Sequence, residues 1–228
     1  MNFPTYLVGG AVRDEILGVP SKDLDYVVLV PSFQALKDDL LAQGCKIFVE
    51  KPEFLTIRAS HPSLGCVDFA CARKDGNYTD GRRPDTTEIA DNLTQDLARR
   101  DFTCNAMAKG LDGQIFDPFN GQKDMADGIL RAVGAARVRF DEDKLRPFRA
   151  VRFAITKNFR IDHDIRNAIG SLTNMSFATV STNRIREELV KMFRVNAVRS
   201  FRLLNNDFPI LWEVINKRGI WLKPTIEG

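Results

Sequence analysis

The sequence predicts an α+β fold in which a mixed sheet with flanking helices is followed by an all-helical region. Three observations carry that expectation. Short β-branched and aromatic runs alternate with helix-forming segments up to about residue 130; from Ile129 onward the pattern is helical almost throughout; and the net charge changes sign near the same point. Residues 1–130 hold 14 Lys/Arg and 20 Asp/Glu, a net of −6, whereas residues 131–228 hold 19 and 10, a net of +9. A chain of 228 residues accommodates one large domain or two small ones. The expected division is 1–130 and 131–228.

Tyr6-Leu7-Val8 reads as a short strand running into Gly9-Gly10, and residues 11–17 as a helix stopped by Gly18 and Pro20. Residues 24–30 form a strand, 33–43 a helix ending at Gly44, and 46–49 and 55–59 two further strands. In residues 66–73, Val67, Phe69 and Cys71 alternate against Asp68, Ala70 and Ala72, the pattern of a strand with one buried face. Residues 74–91, with Gly, Asn, Asp and Pro, read as a mobile loop. A helix is expected over 93–109 with Thr94 as N-cap, then a short strand at 114–116 and a turn at 117–121. Five helices follow, over 143–155, 164–172, 183–196, 198–205 and 210–216.

Composition is that of a soluble globular chain, with 44% hydrophobic and 28% charged residues. No apolar run approaches a membrane span, so no membrane partner is expected. The N-terminus lacks a basic region followed by an apolar stretch, so no signal peptide is expected. Cys45, Cys66, Cys71 and Cys104 show no CxxC spacing and read as reduced thiols of a cytoplasmic protein. The acidic front half suits metal binding and the basic back half suits a polyanion such as RNA, although a solvated helical surface would carry the same charge.

Asp23 and Asp25 flank Leu24 at the mouth of a strand, where side chains two apart point to one side. Converging carboxylates favour a cation, and two-metal Mg²⁺ sites use such pairs for in-line phosphoryl transfer. Upstream, Gly9-Gly10 permits close backbone approach to a phosphate, the next helix presents free N–H groups, and Arg13 stands where it can pair with a triphosphate. The spacing is neither GxGxxG nor GxxxxGK[ST], which disfavours a dinucleotide fold or a Walker loop. Asp68, on a later strand, would complete the acidic site as a metal ligand or as the group that activates an attacking hydroxyl.

These residues resemble a known family. Gly9-Gly10-Ala11-Val12-Arg13-Asp14 followed by Asp23-Leu24-Asp25 is similar to the head-domain signature of class II tRNA nucleotidyltransferases (CCA-adding enzymes) and bacterial poly(A) polymerases. Arg99-Arg100-Asp101-Phe102-Thr103-Cys104-Asn105-Ala106 resembles the second motif of that family, and residues 117–124 the third. Glu142-Asp143-Lys144-Leu145-Arg146 matches EDxxR, and Arg184 with Glu187 and Glu188 resembles the last motif. The motifs occur in family order over about residues 5–195.

The resemblance implies a polymerase-β-like nucleotidyltransferase head followed by a helical neck and partial body, a short form of the family. It implies Mg²⁺ at Asp23 and Asp25, ribose recognition by Asp101 and Asn105, and a triphosphate near Gly9, Gly10, Arg13, Arg99 and Arg100. Asp143 and Arg146, three apart and expected on one helix face, would select CTP and ATP by their base edges, with Arg149 and Arg152 in the same nucleotide-binding set. The expected reaction is attack of an RNA 3′-hydroxyl on the α-phosphate, adding C and A to tRNA or another RNA 3′ end, with no DNA partner. Arg184, Arg186, Lys191, Arg194, Arg199 and Arg202 are the candidate RNA phosphate contacts, and Arg82 with Arg83 are candidates for repositioning the site between C and A addition.

Two departures stand out. Pro147 follows Arg146 and is compatible with a helix only if it lies in the first turn. The helical region is also shorter than the family's usual body and tail. Trp212, Ile220 and Trp221 are expected to close the chain's own core, a homo-oligomer being the alternative. CC-only or A-only addition, poly(A) synthesis and non-catalytic RNA binding remain the competing functions.

Overall fold

The computed structural model describes residues 1–21, 23–76 and 86–220. It divides into two compact units, with the seam in the main chain between Asp124 and Met125.

The first unit is built on a seven-stranded mixed sheet. In chain order its elements are β1 (Thr5–Val8), α1 (Gly10–Ile16), β2 (Asp25–Val28), α2 (Phe33–Ala42), β3 (Lys46–Lys51), β4 (Thr56–His61) and β5 (Gly65–Cys71). There follow β6 (Arg73–Asp75), β7 (Thr87–Ile89), α3 (Leu93–Ala98), β8 (Ala108–Gly110), β9 (Ile115–Phe116) and α4 (Gly121–Ala126), whose last two residues fall past the seam. The strand order is β3-β4-β5-β2-β1-β8-β9, and β2 and β5 run parallel within an otherwise antiparallel ladder. Val67, Phe69 and Cys71 of β5 are buried with Ile57, Ala59, Leu36 and Leu40, as the alternation of β5 predicts, so Asp68 is left on the other face. Ser32 caps α2 by accepting the Ala35 N–H at 3.0 Å.

Two sequence expectations fail in this unit. Residues 93–109 are not one helix. Helix α3 ends at Ala98 and is capped by Asn92, which accepts the Gln95 N–H at 3.1 Å, rather than by Thr94. Asp101 Oδ1 accepts the N–H of Phe102 at 2.8 Å, a short polar side chain competing with the helical ladder. A 3₁₀ turn at Thr103–Asn105 follows, and fully buried Ala108 enters β8 beside β1. Tertiary pairing here overrides the helix propensity of an Ala-rich segment. Within residues 74–91, the described ends pair as the antiparallel hairpin arms β6 and β7. Arg82 and Arg83 lie outside the described residues.

The second unit contains β10 (Ile129–Leu130), α5 (Ala136–Glu142), α6 (Arg146–Thr156), β11 (Arg160–Ile161), α7 (His163–Gly170), α8 (Thr182–Val195), α9 (Ala197–Arg202) and α10 (Pro209–Lys217). Strands β10 and β11 pair in parallel. Helix α6 buries Phe148, Val151 and Ile155, α8 buries Ile185, Leu189 and Met192, and the rings of Phe148 and Phe177 meet edge-on at 5.5 Å. Ile220 is buried and Trp212 meets Phe201 edge-on at 5.1 Å, while Trp221 lies outside the described residues.

The helix expected over 143–155 begins three residues later, and a separate helix precedes it. Helix α5 ends at Glu142, Asp143 is extended (φ −135, ψ 106), and α6 starts at Arg146 with Pro147 in its first turn. There the missing N–H of Pro147 costs no helical hydrogen bond and its fixed φ suits the start. Asp143 and Arg146 therefore do not share a helix face. Among the described residues no helix is long and apolar enough to cross a membrane.

Candidate active site

In the first unit the sheet register assembles a row of charge. Asp25 opens β2 and is paired with Asp68 on β5, which is paired in turn with Arg58 on β4. Arg58 grips Asp68 through two hydrogen bonds of 2.8 Å each. Asp23 lies in the segment leading into β2. The Asp25 carboxyl is held above its ordinary value, first by desolvation and then by the charges of Asp68 and Asp23, with Arg100 and Arg58 offsetting part of this. Asp25 is exposed by area, so the desolvation comes from protein crowding one side of the carboxyl. Among the described residues, no group of three or more His, Cys, Asp or Glu gathers as a metal site. The oxygen-only donors Asp23 and Asp25 nonetheless fit a hard divalent cation, which would offset the desolvation and the neighbouring carboxylate charges that raise Asp25.

The glycine turn stands beside this row. Leu7 is paired with Tyr26, so the end of β1 and Gly9 beyond it lie next to the Asp25 end of β2. Gly9 adopts φ 70, ψ −127, and a Cβ there would sit 2.8 Å from the Arg100 guanidinium. Only glycine fits both the conformation and the approach. Arg100 is thus held against the turn and also acts electrostatically on Asp25.

Behind the turn lies a buried polar network. Arg13 donates to Asn105 Oδ1 at 2.5 Å and to Asp14 at 2.8 and 2.9 Å. Asn105 donates to Asp101 at 2.9 Å, and Arg13, Asp101 and Asn105 are all buried. Arg13 therefore links the glycine turn to the Asp101–Asn105 segment. Asp96, which is 0% exposed, accepts from Arg99 at 2.8 and 3.1 Å, from Arg100 at 3.0 Å and from the Arg73 N–H at 3.2 Å. Asp96 was absent from the sequence-derived set. Its spacing of three and four residues before Arg99 and Arg100 was the available signal, and it matters because it orients both guanidiniums.

In the second unit the EDxxR residues occupy the α5–α6 corner. Arg146 donates to Glu142 at 2.7 Å and to the Arg139 carbonyl at 3.1 Å. Asp143 accepts the Leu145 N–H at 3.0 Å and pairs with Arg184 at 3.1 Å. Arg184, expected as an RNA contact, is thus committed to Asp143, and Glu142 emerges as the partner of Arg146. Arg149 and Arg152 both lie over the Phe153 ring, at 5.7 and 3.9 Å, and Arg152 also bonds Glu188. Arg199 donates to Asn158 at 2.6 Å, whereas Arg186, Lys191 and Arg194 line one cavity on α8, and Arg202 is exposed.

A mixed sheet that brings a glycine turn, a clustered arginine and paired carboxylates together defines a nucleotidyltransferase head. The family described as the Poly A polymerase head domain matches residues 5–131, and the one described as the probable RNA and SrmB-binding site of polymerase A matches 158–207. The chain belongs to the poly(A) polymerase head-domain family. It is 37% identical over 190 residues to the CCA-adding enzyme of Ligilactobacillus salivarius, covering 83% of this chain and 45% of that protein. The Bacillus stearothermophilus CCA-adding enzyme in complex with CTP is 33% identical, with a TM-score of 0.75, over 88% of this chain and 47% of that one. A tRNA nucleotidyltransferase complexed with a primer tRNA and an incoming ATP analog is 30% identical, with a TM-score of 0.73, over 96% of this chain and 63% of that one. The chain spans about half the length of the curated relatives it matches.

Proposed function

We propose that this chain carries the catalytic and base-selecting parts of a tRNA nucleotidyltransferase that adds CMP and AMP from CTP and ATP to the tRNA 3′ end in the cytoplasm. The observation that carries this reading is the Asp25–Asp68 pairing beside Asp23, with Arg100 and the Gly9 turn on the flank of Asp25. Relatives with CTP, and with primer tRNA and an ATP analog, support the substrate class.

Asp23 and Asp25 would hold Mg²⁺, which supplies a lowered pKa to the 3′-hydroxyl and neutralises the departing pyrophosphate. Gly9 and Gly10 admit the triphosphate to the backbone, and Arg100 and Arg99, both oriented by Asp96, face its charge. Arg13 positions Asn105 and, through it, Asp101, whose amide and carboxylate suit ribose hydroxyls. In the helical unit Asp143 accepts the exocyclic amino group shared by cytosine and adenine, with Arg184 holding the carboxylate in place and Glu142 orienting Arg146. Arg186, Lys191 and Arg194 contact RNA phosphates.

The test is incubation with tRNA transcripts ending before CCA, after C and after CC, with each nucleotide and Mg²⁺. Addition that stops at CCA and is lost in Asp23→Ala and Asp25→Ala is the expected result. C-only or A-only products would show divided labour. The matching head family favours one second reading, poly(A) synthesis, and a long A tail would establish it. Absence of Mg²⁺-dependent incorporation would overturn both.

A further inference from the structure

The outer face of β3–β5 holds a cavity of about 430 Å³, a volume in the range of small-molecule sites. A register shift between Ile47 and Val49 turns the end of β3 so that Val49 stands opposite Arg58, and Lys51 opposite Thr56. One row then crosses four strands in the order Val49, Arg58, Asp68, Asp25, and the Gly9 turn lies beyond it. Lys51, Arg58, Asp68, Val49 and Phe54 line the cavity. Among the described residues the Lys51 side chain has no hydrogen-bond or ion-pair partner, and the Arg58 side chain is 55% exposed although it grips Asp68. An ion pair so open to solvent exchanges readily for another anion.

Val49 and Phe54 offer an apolar wall suited to a base or sugar face, and Lys51 and Arg58 offer two cations suited to a phosphodiester. The direction of the row adds the decisive constraint. In-line displacement needs the attacking and leaving groups on opposite sides of the transferred phosphorus. If the triphosphate lies on the Gly9–Arg100 flank of Asp25, the acceptor must approach from the Asp68–Arg58 flank, where the cavity is. We propose that this cavity binds the terminal nucleotide of the RNA acceptor, and that its phosphodiester draws Arg58 off Asp68. Asp68, covered by Arg58 in this structure, then faces the acceptor 3′-hydroxyl only when RNA is present. The inference rests on the nucleotidyl-transfer reading and adds to it an acceptor subsite and an Arg58 latch.

Steady-state kinetics of the full chain would be compared for wild type, Arg58→Ala, Arg58→Lys and Lys51→Ala, varying in turn a tRNA transcript lacking CCA and CTP. Arg58→Ala and Lys51→Ala are each expected to raise KM for the transcript about tenfold, the loss of one charged contact, and to leave KM for CTP within about twofold. Arg58→Lys recovers part of the loss, and the exposed positions leave the melting temperature unchanged. A rise in KM for CTP with an unchanged KM for RNA would assign the cavity to the triphosphate and overturn the proposal, as would no change in either. Cys66 gives a readout independent of turnover. It is exposed, two residues from Asp68 on the same face of β5, whereas Cys45, Cys71 and Cys104 are buried. The transcript is expected to slow alkylation of Cys66 by iodoacetamide, and CTP alone is not. Normal incorporation without that protection would overturn the acceptor subsite while leaving the nucleotidyltransferase reading intact. Absence of incorporation and of RNA binding in the wild type would overturn both.

Discussion

The two units hold their charged groups in different ways. In the head, Asp96 is fully buried and gathers two guanidiniums and a backbone N–H, and Arg100 packs where any side chain at Gly9 would sit. At the α5–α6 corner of the helical unit, Asp143 and Arg184 form a pair whose side chains are 19% and 24% exposed, on a residue that belongs to neither helix. Geometry set by burial is stiff, because each polar atom removed from water must keep its partner. Geometry set by a partly solvated pair at a helix junction adjusts at low cost. Substitutions in the head should therefore register as lost stability, and those at the corner as altered choice of nucleotide.

Asp96→Asn breaks the stiff side most severely. It leaves Arg99 and Arg100 without their shared carboxylate, and losing one partner of a buried ionic cluster costs about 3–5 kcal/mol. Urea unfolding would measure it; a loss below about 1 kcal/mol would show that water reaches this cluster. The pH dependence follows from the carboxyl itself. Burial pushes Asp96 up, but the charges and hydrogen bonds of Arg99 and Arg100 outweigh it and hold the group below its ordinary value of 3.8. A depressed folded value gives stability that is fully present above the unfolded value and is lost as pH falls through the folded one. The advantage of wild type over Asp96→Asn should thus be constant near neutrality and shrink below about pH 4.

Gly9→Ala is the next largest. The φ of 70 at Gly9 and the 2.8 Å approach of Arg100 predict about 1–3 kcal/mol of strain and a displaced guanidinium. Gly10 tests whether the cause is specific. Its φ is not positive and a Cβ would lie 3.4 Å from the end of the Arg13 side chain, so Gly10→Ala should stay within about 0.5 kcal/mol of wild type. Thermal unfolding of the two variants separates them, and equal effects would show that the turn matters only as a whole.

This contrast also explains what was legible in the sequence. The β5 alternation, the glycine turn and the acidic pair are local patterns of period two or of adjacent residues, and they were readable. The Asp25–Asp68 pairing and the Arg58–Asp68 and Asp143–Arg184 pairs join residues 43, 10 and 41 positions apart, so no local pattern encodes them. The error at residues 93–109 came from a segment whose composition favours a helix but whose Ala108 must enter the sheet beside β1. At Pro147 the expected first-turn position holds, and the error was to start the helix at Asp143, which is extended and accepts the Leu145 N–H ahead of Arg146.

At the corner, Arg184→Ala should change choice more than stability. A partly exposed pair contributes about 1 kcal/mol or less to folding. Loss of a fixed orientation at a base-reading carboxylate, by contrast, should reduce the preference for CTP over UTP on the order of tenfold, the lower end of what one base-edge contact discriminates. Single-nucleotide incorporation assays give the ratio. An unchanged ratio would mean that Asp143 is oriented without Arg184, by its bond to the Leu145 N–H.

The smallest effects belong to the exposed cations of α8, where the contrast between held and solvated arginines recurs within one helix. Arg186, Lys191 and Arg194 line one open cavity, whereas Arg184 on the same helix is turned to Asp143. Only the first three should exchange counterions for RNA phosphates. Replacing all three by Ala should lower the slope of log affinity for tRNA against log salt by about 2–3, with each single change near the limit of detection. Arg184→Ala should leave that slope unaltered even where it alters nucleotide choice. A slope that falls in Arg184→Ala and not in the triple variant would mean that Arg184 leaves Asp143 to bind RNA, and that the corner and the RNA surface share one arginine.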